Sequence, residues 1–322
     1  TATCSPGQRC PGRFFIRCGI KKLAQARGNT LGLPDTRGTK MDELKNRIRK
    51  SFFDQIMPDL ATRPSAELDL KRENGNIDGE SAMGTMLRYG SEAAKAYYQT
   101  SDMMSPDIAA AHFGGDIHIH DLDFYNLTTT CTQINLKDLL ARGFNTGHGG
   151  LRRPNSIGTA AALCAIAIQS NQNDQHGGQS IPAFDYALAP YVGRSYIKNL
   201  KKVFEVMGVV KNAEYNTVIA DLESCHADGG SVLELVKSNY GGRLFDLAME
   251  WTEKDTYQAM EGLIHNLNTM HSRAGAQVPF SSLNYGTDTS PEGRMVIKNI
   301  MLAEEAGLGN GETPIFPIHI FK

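Results

Sequence analysis

The chain has 322 residues, 41% of them apolar and 21% charged. That is the composition of a folded globular protein, and it excludes collagen-like, disordered and disulfide-knotted chains. A formal net charge of −2 supplies no general attraction for nucleic acid or an anionic membrane surface. The charge is nevertheless uneven: residues 1–50 hold 12 Lys and Arg against 3 Asp and Glu, so they carry +9 and the remainder −11. The longest apolar run, 160–168, is far short of a bilayer span. Six cysteines (Cys4, Cys10, Cys18, Cys131, Cys164 and Cys225) form no Cys-x-x-Cys pair, which points to free thiols in a reducing, cytoplasmic compartment.

In chain order, residues 1–40 form a basic leader without the character of a targeting peptide, expected to be disordered or non-native. Residues 41–60 have helical spacing, 72–79 are a polar break, and 81–98 fit a long helix. Ser105 followed by Pro106 marks the start of a short helix that ends at Gly114-Gly115. Residues 116–124 alternate, with Ile117 and Ile119 on one side and His118 and His120 on the other, so a strand is expected. Residues 155–169 are apolar on nearly all sides and predict a buried helix, with Gly177-Gly178 as its stop. Two helices are expected over 183–207 and 212–238, and another over 253–271, opened by Thr252 and Asp255 as a capping box. The last segment reads strand (277–285), helix (291–306, capped by Ser290), strand (314–321). Such a βαβ unit requires a parallel sheet with helices on its face, hence an α/β fold.

Three segments carry chemistry. In Gly115-Asp116-Ile117-His118-Ile119-His120-Asp121-Leu122-Asp123, two imidazoles flanked by carboxylates suit a metal site, an acid/base site, or structural hydrogen bonding at a strand end. Cys131 follows three threonines, which favour extended backbone; its thiol can be a nucleophile, a hydrogen-atom donor or a small buried hydrophobe. The block 170–180 is dense in amides, with Asn171, His176, Gly177, Gly178 and Gln179 suited to a small polar ligand or to capping a helix end. Cys164, inside the apolar helix, reads as structural. The glycine turns 143–150 and 307–311 permit close approach of backbone to phosphate, yet neither matches a P-loop or dinucleotide fingerprint.

From about Arg72 to Lys322 the sequence resembles the anaerobic (class III) ribonucleoside-triphosphate reductases of the glycyl-radical superfamily. The resemblance is carried in collinear order by 72–80, 115–123, 128–133, Gly143-Phe144-Asn145-Thr146-Gly147-His148-Gly149, 170–180, 279–289 and 307–317. It implies that the chain is part of a ten-stranded α/β barrel built from two five-stranded parallel halves, with 41–322 forming its amino-terminal part. It also implies reduction of ribonucleoside triphosphates to 2′-deoxyribonucleoside triphosphates, supplying DNA precursors. Cys131 stands where the family has its second active-site cysteine, His118 and His120 match its paired histidines, and 170–180 would line the ribose side.

The thiyl cysteine, the glycyl radical and a structural zinc site are expected downstream of Lys322, so no activity is expected of the chain alone. The resemblance further implies ATP or dNTP effectors, formate or a dithiol as reductant, a radical-SAM activating enzyme and a homodimer, with neither nucleic acid nor membrane as partner. Thr132 departs from the family, which usually has a second cysteine there. Two other readings are a metal-dependent amidohydrolase using His118 and His120, and a non-catalytic nucleotide-binding relic.

Overall fold

The computed structural model describes residues 46, 99–120, 122, 129–272 and 277–322. The chain divides into a unit of residues 1–47, of which only the helical, exposed Asn46 is described, and a unit of residues 48–322. The leader 1–40, the polar break and the helix expected over 81–98 lie outside the described residues, as does 41–60 apart from Asn46.

A π-helical turn, Gln99–Met103, leads into α1 (Pro106–Gly114). Proline at its first turn and Gly115 in the left-handed region (φ 84°) bound this helix as expected. The following residues, 116–120, carry no strand. Alternation there is a weak signal, since no strand among the described residues pairs with it. The extended threonine run forms β1 (Thr129–Gln133), followed by α2 (Leu136–Arg142). The glycine turn 143–150 belongs to a small antiparallel hairpin, β2 (Phe144–Asn145) and β3 (Gly150–Leu151). Gly143 is a packing glycine, since a Cβ there would lie 2.4 Å from the Leu151 carbonyl oxygen.

Next come α3 (Ile157–Gln172), started by Ser156 Oγ accepting from the Thr159 amide, and β4 (Gln175–Ile181). This strand replaces the turn expected at Gly177-Gly178. Four helices follow: α4 (Phe184–Val206), α5 (Ala213–Ala227), α6 (Val232–Asn239) and α7 (Arg243–Thr269). The single helix expected over 212–238 is thus broken, with Gly229 at φ 78° in the gap. Helix α7 begins about ten residues before the expected box. Thr252 is fully buried inside it, donates to the Ala248 carbonyl (2.7 Å) and accepts from Asn199 Nδ2, the back-bonding that lets threonine sit within a helix. The chain ends with β5 (Ser281–Tyr285), α8 (Pro291–Ala306) and β6 (Ile318–Phe321). Ser290 Oγ caps α8 through the Gly293 amide, as expected.

The sheet is four-stranded and wholly parallel, in the order β1-β4-β5-β6. Each strand is added beside the one before it, an order in which crossovers of the usual right hand put the connecting helices on one face. The core lies there. Helix α7 packs on α3, α4 and α8, and α8 on α4. Small residues Ala160, Ala161, Ala165 and Ala167 let α3 sit close to its neighbours, while Leu188, Leu200, Met260 and Ile264 are fully buried. Each such large side chain contributes about 1.5–3 kcal/mol by leaving water.

Two buried carboxylates join elements, one tying α4 to the loop after β5 and the other tying α8 to α6. Asp185, at the start of α4, accepts from the amides of Gly286 (2.8 Å), Asp288 (3.0 Å) and Tyr186 (3.0 Å). Glu292 on α8 accepts from the Ser231 hydroxyl (2.6 Å) and the Leu233 amide (2.9 Å). It thereby places negative charge where α6 presents unpaired amides. Among the described residues, no helix is long and apolar enough to cross a membrane.

Candidate active site

Strands β1 and β4 pair Thr129 with Gln175 and Thr130 with His176, then Thr132 with Gln179 and Gln133 with Ser180. Between these pairs β1 contributes one residue, Cys131, and β4 contributes two, Gly177 and Gly178. That is a β-bulge, uncommon between parallel strands and a means of re-aiming a side chain. Cys131 takes φ 25°, the one positive φ at a non-glycine position among the described residues, and is exposed. Gly177 opposite it has φ 85°. A residue without Cβ is required there on two counts: the conformation disfavours L side chains, and a Cβ would fall 2.9 Å from Cys131 Sγ and 3.3 Å from its amide nitrogen.

Polar side chains secure both sides of the bulge. Thr130 Oγ1 and His176 Nε2 are 3.0 Å apart, with His176 buried. Asn171, in the last turn of α3, donates through Nδ2 to Thr132 Oγ1 and to Gln179 Oε1, both at 2.8 Å. All five residues singled out in the amide-rich block therefore meet the cysteine strand: Asn171 and Gln179 through Thr132, His176 through Thr130, and Gly177 and Gly178 opposite Cys131 itself. The sequence reading missed Thr130 and Thr132 as partners, since their role depends on a strand register that no local pattern reveals.

His118 and His120 lie in the segment after α1, both exposed, with ring centroids 6.1 Å apart. A third imidazole joins them. His112, on the last turn of α1, has its ring 5.9 Å from that of His118, and its Nδ1 accepts from the Ile119 amide at 3.2 Å. The turn at Gly115 folds the chain back and brings His112 into the group, a proximity that spacing alone does not show. The thiol and the imidazoles are thus carried by different elements, β1–β4 for one and the end of α1 with its following segment for the other. Among the described residues, no three His, Cys, Asp or Glu side chains are arranged to hold a metal ion.

The thiols differ sharply in setting. Cys164 is wholly buried, and loss of solvent drives its pKa far above the ordinary thiol range. Cys225 is half-buried and is pushed up by burial and by the nearby Glu292 and Asp228 carboxylates. Of the three described cysteines only Cys131 is exposed.

The family model for anaerobic ribonucleoside-triphosphate reductase matches residues 73–322. Curated relatives of that description include one from Enterobacteria phage T4, 32% identical over 252 residues, covering 77% of this chain and 36% of the relative. Another, from Escherichia coli, is 31% identical over 278 residues, covering 85% of this chain and 34% of the relative. The chain thus spans about a third of the length of the curated relatives it matches. Among solved structures, the anaerobic ribonucleotide reductase from Thermotoga maritima in complex with dATP and CTP aligns with a TM-score of 0.44 at 13% identity, over 86% of this chain and 42% of that one. On the match over residues 73–322, the chain belongs to the anaerobic ribonucleoside-triphosphate reductase family.

Proposed function

We propose that this chain supplies the Cys131 side of a site for radical reduction of ribonucleoside triphosphates, within a longer polypeptide whose radical-bearing residues lie outside these 322. The observation that carries this proposal is the exposed, positive-φ Cys131 set on a glycine bulge beside the amide and histidine block. A packing cysteine needs neither exposure nor a strained backbone. Overall, one ribonucleoside triphosphate and one formic acid would give one deoxyribonucleoside triphosphate, carbon dioxide and water. With a dithiol in place of formate, the oxidised product is a disulfide.

In this scheme the radical expected outside the chain removes the ribose 3′ hydrogen. His118 or His120 delivers a proton to the 2′-hydroxyl, which leaves as water. Loss of the 3′-hydroxyl proton with that water leaves a 3′-ketone beside a C2′ radical, to which the Cys131 S–H gives its hydrogen atom; the resulting Cys131 thiyl takes the hydrogen atom of formate. The remaining electron of the formate, with a proton, reduces the ketone to a C3′ radical, and the hydrogen first removed returns to C3′. Asn171, His176 and Gln179 hold the strands around the thiol, and the open side of the sheet receives the ribose. The consecutive parallel order β1-β4-β5-β6 supports placing these strands in one half of a ten-stranded barrel. Effector nucleotides, a radical-SAM activase, a structural zinc and a homodimer belong to the same proposal. The amidohydrolase alternative has no three-ligand group among the described residues to stand on.

Substrate protection tests the proposal. A ribonucleoside triphosphate at about 1 mM, the upper end of ordinary substrate affinities, is expected to slow alkylation of Cys131 while leaving Cys225 unaffected. Equal alkylation of Cys131 with and without nucleotide would count against a nucleotide site at this thiol.

A further inference from the structure

We propose that Gly177 and His176 are positioning residues for the Cys131 thiol, and that the two adjacent glycines have unlike duties. The proposal rests on the reading of Cys131 as the redox thiol of the site, although the geometry it invokes is independent of that chemistry. A Cβ built on Gly177 meets Cys131 Sγ at 2.9 Å, whereas one built on Gly178 meets nothing within 4 Å. Non-bonded heavy atoms settle at about 3.5–4.0 Å, so any side chain at 177 would make the sulfur retreat by about 0.6 Å or more. Gly177 therefore fixes where the sulfur can sit. Gly178 is the second residue the bulge needs and leaves its own surroundings open.

The other half of the seat is the Thr130–His176 contact. Thr130 is the last paired residue before the bulge, and its Oγ1 lies 3.0 Å from the buried His176 ring. A positive φ at Cys131 persists only where the surroundings over-determine it. His176 on one side, and Asn171 bonded to Thr132 on the other, supply that constraint from both flanking residues. His176 thus acts on the thiol through Thr130. The block that sequence alone leaves open between ligand recognition and helix capping is here a mount for sulfur.

The test uses the whole 322-residue chain and a small disulfide reagent, with modification at Cys131 resolved by mass spectrometry. Gly177→Ala is expected to slow Cys131 modification about tenfold, while Gly178→Ala stays within twofold of wild type. His176→Leu is expected to change the rate as well, and His176→Gln, which can still bond Thr130, to restore it. A rate within twofold of wild type in Gly177→Ala, or the same change in both glycine variants, overturns the proposal. A double-mutant cycle covers the case of a poorly folding Gly177→Ala chain. The φ penalty at 177 is common to both backgrounds and cancels, so the drop in Tm caused by Gly177→Ala must shrink when Cys131→Ala removes the sulfur. An equal drop with and without the sulfur overturns the seat. Substrate protection of Cys131 reads the reductase proposal separately, so either can fail alone.

Discussion

Replacing Asp185 by alanine should be among the most damaging single changes in the described part of the chain. The carboxylate is wholly buried and holds three amides: Gly286 and Asp288 in the loop after β5, and Tyr186 at the start of α4. Water can replace the bond to Tyr186, whose residue is 43% exposed, but not the one to the buried Asp288 amide. A hydrogen bond to a charged group contributes about 1.5–3 kcal/mol, and a buried donor left without an acceptor costs a similar amount. Losing the two loop bonds therefore costs about 3–6 kcal/mol, a large share of the roughly 5–15 kcal/mol that stabilises an ordinary domain. Both loop amides share Oδ2 while Tyr186 uses Oδ1, so Asp185→Asn, with its one acceptor oxygen turned to the loop, keeps both loop bonds and should lose well under half as much. Urea unfolding measures the difference, and amide exchange at Gly286 and Asp288 should quicken in the same order. An Asp185→Ala chain within about 1 kcal/mol of wild type, with unchanged exchange at those amides, would refute the claim that this carboxylate anchors the loop.

Removing Glu292 as Glu292→Ala should cost about 2–4 kcal/mol in the same unfolding assay, because it leaves the buried Leu233 amide and the Ser231 hydroxyl without their shared acceptor; Ser231→Ala, which loses the cap on the Glu234 amide and the hydroxyl bond to Glu292, should cost about 2–3 kcal/mol. Burial and the Arg194 guanidinium, whose Nε donates to His226 Nε2, hold the His226 imidazole below its ordinary value of 6.5. Because the folded pKa is depressed, the unfolded chain takes up the proton first as pH falls. The contribution of His226 is thus fully present above pH 6.5 and declines as pH falls through the folded value. Thermal melts from pH 7.5 down to 5 should show a shallower loss of Tm in His226→Gln than in wild type. Among the three described cysteines, alkylation of the native chain should proceed fastest at Cys131, more slowly at Cys225, and at Cys164 only after unfolding, which quenched labelling followed by peptide mapping can read.

Local chemistry made some elements legible from sequence. Ser105-Pro106 with Gly115, and Ser290-Pro291, state their helix starts and stop in the residues themselves, and the all-round apolar run of α3 can only be buried. The closing βαβ unit likewise declared a parallel sheet. Strand β4 was hidden because Gln175 to Ser180 contains no β-branched or large apolar residue, and its glycine pair resembles a helix stop. The pair is a bulge whose purpose depends on Cys131, 46 residues earlier. Thr252 and Asp255 misled in the opposite way: a cap signature was satisfied inside a helix by bonding backwards and to Asn199. The candidate residues themselves were visible, but the joining of Cys131 to the amide block needed the β1–β4 register, and His112 needed the reversal at Gly115.

Cys131 is the thiol proposed to take part in ribonucleotide reduction. The most direct measurement is anaerobic turnover by the polypeptide that carries this chain with its radical-bearing segment, activated and supplied with ribonucleoside triphosphate and reductant. Cys131→Ala is expected to lower deoxyribonucleotide formation by about a thousandfold or more, the scale of losing a group that acts in the transition state, while Cys164→Ala and Cys225→Ala stay within a few fold of the parent. Deoxyribonucleotide formation at the parent rate in Cys131→Ala would contradict the account.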